Sequence, residues 1–173
     1  MSRLDQRQTS PRIPRLLGRL GLSERLILLA AGLGILHHTD HVLRFDHSGW
    51  PFRPEVSPFT YSLLVYPLLL AVFLLRSHPW LRVVLMSLVF VGLQVAHIFF
   101  EPPSHQYGTW ARGHGETPSG AQPPNLLHLA SPTLGVLSAG LSILLSVLTL
   151  ATILSLIRDA RIQRTSKRAD LSK

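Results

Sequence analysis

From Pro58 to Leu75 the chain runs through eighteen residues without a charged side chain, and comparable uncharged runs occupy 83–100 and 125–157. A fourth, shorter run (26–36) follows a basic N-terminal stretch. At about 1.5 Å rise per residue, a helix of roughly 20 residues crosses a ~30 Å hydrocarbon core. Only helices and closed barrels satisfy their backbone groups in lipid, and runs this long and this apolar are helical. The pattern predicts an all-α integral membrane four-helix bundle with spans at about 25–44, 58–75, 80–100 and 125–157. Residues 1–22 and 158–173 flank this 23–157 domain as basic N-terminal and C-terminal tails.

Several local signals refine the boundaries. Ser23 is placed as an N-cap with Glu24 in the favourable first turn. No small-x-small cleavage site follows the first run, so it is expected to be an uncleaved span. Pro58 suits a first helical turn, and Pro67 should kink the second span near its middle. Glu101-Pro102-Pro103 ends the third span, and a long Gly/Pro-rich connection (102–123) follows, in the length range of functional loops.

Charge asymmetry sets the orientation. The two tails and the 76–82 turn carry fourteen Lys/Arg against four acids, whereas the opposite side carries three Arg against five acids. The positive-inside rule therefore predicts both termini in the cytoplasm and a multi-pass protein of the cell membrane. The basic tails are suited to anionic lipid headgroups. No nucleic-acid reading module accompanies them, so no nucleic-acid partner is expected.

Topology makes the histidines informative. Eight of nine fall in the half of the molecule predicted to face outward, His78 being the exception. The run His37-His38-Thr39-Asp40-His41-Val42-Leu43-Arg44 places imidazoles, a carboxylate and a guanidinium in a spanning helix, which by default signals a functional site. At 100° per residue His37, Asp40, His41 and Arg44 share one face and His38 points elsewhere. His97 and Glu101 stand i,i+4 on the third span, beside Ser87 and Gln94. His128 opens a fourth-span stripe of Ser131, Gly135, Ser138, Ser142, Ser146 and Thr149. If these faces point inward they form one polar layer, the place where bundles build metal and cofactor sites.

With no cysteine, thiolate ligands and cysteine nucleophiles are excluded. Imidazole and carboxylate suit a transition metal, Zn or Fe before Cu or Mn. The expected roles are His37, His41, His97 and His128 as metal ligands, Glu101 as ligand or base, Asp40 as base or orienting partner, and Arg44 as a headgroup clamp. This describes an outward-facing metal-dependent enzyme of hydrolase or oxidase type, acting on a lipid or another membrane-soluble substrate. Two further readings compete with it. One is a non-catalytic haem- or metal-binding protein. The other is a structural or transport-accessory protein whose polar layer only packs helices.

Overall fold

The computed structural model describes residues 20–44, 58–117 and 120–171. Helix α1 spans Leu22–Arg44, α2 Pro58–Ser62, α3 Val65–Leu74 and α4 Pro79–Val95. A π-helical turn, Ala96–Phe100, prolongs α4. Helix α5 follows at Pro103–Arg112, then a hairpin of β1 (His114–Thr117) and β2 (Gly120–Pro124), then the long α6 at Pro132–Leu171. The expected 102–123 loop is thus largely structured, as helix α5 and most of an antiparallel hairpin, and an irregular 125–131 loop precedes α6.

Three helices are long and apolar enough to cross a membrane: Leu22–Arg44, Pro79–Phe100 and Pro132–Lys167. The apolar segment Phe59–Leu74 is shorter and broken. Their outward faces carry Leu28, Leu29, Ile35, Val84, Leu88, Val91, Ile143 and Val147, all exposed. Only 17% of the most apolar window of Pro79–Phe100 is buried. An apolar surface of that extent has lipid as its natural solvent.

The kink expected at Pro67 is a full break. Turn residues Leu63 and Leu64 separate α2 from α3, leaving Pro67 in the first turn of α3. A proline ring clashes with the carbonyl four residues back, here that of Leu63, which is where the helix opens.

At one end of the bundle Ile27, Leu69, Val72, Met86, Val89, Ile153 and Leu156 form an apolar core. Beyond it Arg82, 3% exposed, donates to the Val72 carbonyl (2.7 Å) and to Glu24 (2.9 Å). Ser23 lies within α1, and its hydroxyl bonds Asp159 (2.6 Å) and Ser155 (2.8 Å) on α6. The residue expected to cap a helix therefore ties two helices together. Helix α6 starts at Pro132, later than the expected residue 125, and continues through the expected basic tail to Leu171.

The other end is covered by α5, which lies against α6. A Cβ on Gly135 would stand 2.7 Å from the Tyr107 carbonyl oxygen, so the two backbones approach as closely as only glycine permits. Residues 1–19 of the expected basic N-terminal tail and the 45–57 connection lie outside the described residues.

Candidate functional site

The α1 face expected from helical phasing does point into the protein. His37 and Arg44 are buried, and Asp40 and His41 are partly so. From α4, the π-helical turn brings His97 and Glu101 to meet them, both buried. In this turn the Glu101 amide bonds the Ala96 carbonyl five residues back (2.9 Å). Such π turns are uncommon and concentrate at functional sites.

Asp40, Arg44 and Glu101 form the charged part of the layer. Arg44 Nε donates to Asp40 (2.7 Å), and Arg44 Nη1 donates to Glu101. Asp40 also accepts from the Trp110 indole (2.8 Å) and the Ser138 hydroxyl (2.7 Å). Its carboxylate is thus held by groups from α1, α5 and α6. The Arg44 side chain is fully buried and, unlike His41 and Glu101, does not line the adjoining cavity. The base and headgroup-clamp roles expected of Asp40 and Arg44 both require access to a substrate. Here the two residues lock helices together.

Next to this triad His41 Nε2 stands 3.3 Å from Glu101 Oε2, with the His41 ring stacked on Phe59 at 4.7 Å. Deeper in, His37 Nε2 and His97 Nε2 face each other at 3.4 Å. The surroundings of His37 fix its tautomer. Gln106 Nε2 donates to the Glu101 carbonyl (3.2 Å), which turns Gln106 Oε1 toward Ser142 to accept its hydroxyl hydrogen (2.6 Å). With that hydrogen committed, the contact between Ser142 Oγ and His37 Nδ1 (3.3 Å) requires Nδ1–H as donor. His37 Nε2 then carries the lone pair and presents it to His97.

His38 departs from this face as expected, yet it is not idle. Its Nδ1 lies 2.8 Å from the Tyr66 hydroxyl and its Nε2 2.8 Å from Ser62 Oγ, linking α1 to α2 and α3. Gln94 bonds Ser146 (3.0 Å) and joins α4 to α6.

His128 does not join the layer. It lies before α6 in the 125–131 loop, exposed, with φ of 52°. The stripe it was expected to open begins only with α6, where Ser138, Ser142 and Thr149 are buried. Of the four expected ligands, His37 and His97 meet and His41 turns to Glu101. Among the described residues no group of three or more His, Cys, Asp or Glu is arranged to hold a metal ion.

The layer caps a cavity of about 490 Å³ between α1, α2, α3 and α4. His37, His38, His41, His97 and Glu101 line one end. Below them the walls are apolar, including Leu68, Leu69, Val89 and Leu93. From Ala30 to His41 along α1 the lining covers about 16 Å at the helical rise.

Sequence reasoning missed Gln106 and Trp110 as partners of the layer. Trp110 reads as an interfacial anchor, but at 2% exposed it is buried with its indole on Asp40. The polar residues of α5, spaced at 106 and 110, were the available signal.

These features define a class: a helical membrane protein with a polar histidine–carboxylate layer above an apolar cleft. No protein-family model matches the chain, and no characterised protein or solved structure is detectably similar to it.

Proposed function

We propose that this helical protein admits a membrane-soluble, chain-like molecule into the α1–α4 cleft and works on its polar end at the His/Glu layer. The observation that carries the reading is the cavity itself: a long apolar slot, within the roughly 300–1,000 Å³ of small-molecule sites, ending on five polar side chains. An interior that only packed helices would be filled to organic-crystal density, with few voids larger than a water molecule. The His41–Glu101 pair is equipped to move a proton at the cap, an imidazole beside a carboxylate being the usual base arrangement. The excess of Lys and Arg on the tails favours a layer that faces the extracytoplasmic side of the cell membrane.

The test is retention of a ligand. Protein purified in mild detergent and examined by native mass spectrometry should carry a chain-like molecule. Leu93→Trp, which fills the slot, should release it. Equal retention by the two proteins would sink the reading.

A metal-dependent version, of hydrolase or oxidase type, is favoured by one further observation. Two imidazole Nε2 atoms 3.4 Å apart stand as two ligands of one tetrahedral ion do at about 2.0–2.1 Å bonds. The Ser142 hydroxyl on His37 Nδ1 provides the outer support that metal-bound histidines need. Zn or Fe would take the pair, with the remaining positions open to water or substrate; haem is the alternative. Elemental analysis and a visible spectrum check this. Stoichiometric metal in wild type, lost in His97→Ala, supports it, and metal-free wild type overturns it.

A further inference from the structure

The charges and lone pairs of the cap say what kind of head the cleft accepts. Two carboxylates, Asp40 and Glu101, surround the single guanidinium of Arg44, so the charged triad sums to one negative charge. Arg44 does not line the cavity, and its Nε and Nη1 are engaged by the two carboxylates. Among the described residues the cavity has no Lys or Arg in its lining. At the cap Glu101 Oε2, a carboxylate oxygen with lone pairs beyond its contact with His41, is an acceptor that lines the cavity. In a low-dielectric, lipid-surrounded slot, like charges brought together repel far more strongly than in water.

On the reading of the cleft given above, we infer that its occupant is a single-chain amphiphile with a hydrogen-bond-donating, non-anionic head. A long-chain alcohol or amine meets that description, and a fatty acid or lipid phosphate does not. An O–H or N–H at the cap would donate to Glu101 Oε2, while the chain lies along Leu93, Val89 and Leu69. A single chain fits a slot whose lining, polar cap included, runs about 16 Å along α1 and whose other polar side chains among the described residues are Tyr61, Ser62 and Thr149.

The experiment uses the full chain in zwitterionic nanodiscs at pH 7. The protein is photolabelled with a diazirine-bearing long-chain alcohol, and the labelled residues are mapped by mass spectrometry. Dodecanol, dodecylamine and dodecanoate then compete for the label. Labelling at cleft residues, with dodecanol and dodecylamine competing about tenfold or more better than dodecanoate, is the expected result. Dodecanoate competing equally or better overturns the inference about the head while leaving the cleft intact. Label outside the cleft, or no competition by any of the three, overturns the cleft reading itself, so the two failures are distinguishable. No variant is needed, so a misfolded mutant cannot obscure the result.

Discussion

Arg44 on α1 and Glu101 at the end of the π-helical turn are fifty-seven residues apart in sequence and joined in a buried ion pair. The same guanidinium holds Asp40 through Nε. Removing it strands two carboxylates among α1, α4, α5 and α6. Arg44→Ala should cost about 3–5 kcal/mol, the range for breaking one side of a buried pair. Arg44→Lys should recover only part of this, since an ammonium lacks the planar fork that spans both carboxylates. Thermal unfolding in detergent measures both.

Trp110→Phe removes the indole donor from Asp40 while keeping most of the buried ring. The loss should be about 1–3 kcal/mol, the penalty for leaving a charged acceptor short of one buried bond. Placed on Asp40→Asn, the same change should cost less, because a neutral amide suffers less from a missing donor. A double-mutant cycle reads the coupling.

Gly135→Ala tests the covering of the layer. Its methyl would meet the Tyr107 backbone oxygen at 2.7 Å, and a backbone cannot swing aside as a flexible side chain does. The expected cost is about 1–3 kcal/mol, felt where α5 docks. Hydrogen exchange should rise over 103–112 and remain unchanged in α3. Equal protection in mutant and wild type would show that α5 does not depend on this contact.

At the opposite end Arg82→Met leaves Glu24 without its closest cation, Arg76 standing 3.9 Å away. A loss of about 3–5 kcal/mol is expected. Replacing Glu24 by Met as well should restore much of it, since a packed apolar pair avoids burying charge. Chemical or thermal unfolding of the two single variants and the double variant decides this.

The three long apolar helices and the inward face of α1 were legible in the sequence, whereas α5, inside the expected loop, was not. Uncharged runs of spanning length require helices in lipid, and the 3.6-residue period put His37, Asp40, His41 and Arg44 on one side of α1. His97 and Glu101 were legible for the same reason, since their spacing is local. Pro67 announced an interruption, though not that it would be a complete break.

What sequence could not determine is which partner each polar group takes, because partners are chosen by how helices pack. Arg44, legible as a headgroup clamp, became a strut once α4 delivered Glu101 beside it. Asp40 was drawn off by Trp110 and Ser138 from two other helices. His128 was assigned to a helix that starts only at Pro132, after a turn that leaves the imidazole exposed. The cleft is also purely tertiary: its walls are assembled from α1, α2, α3, α4 and α6, which no local pattern brings together. Periodicity fixes the direction of a side chain on its own helix. Only the packing of several helices decides what it meets there and where room is left for a ligand.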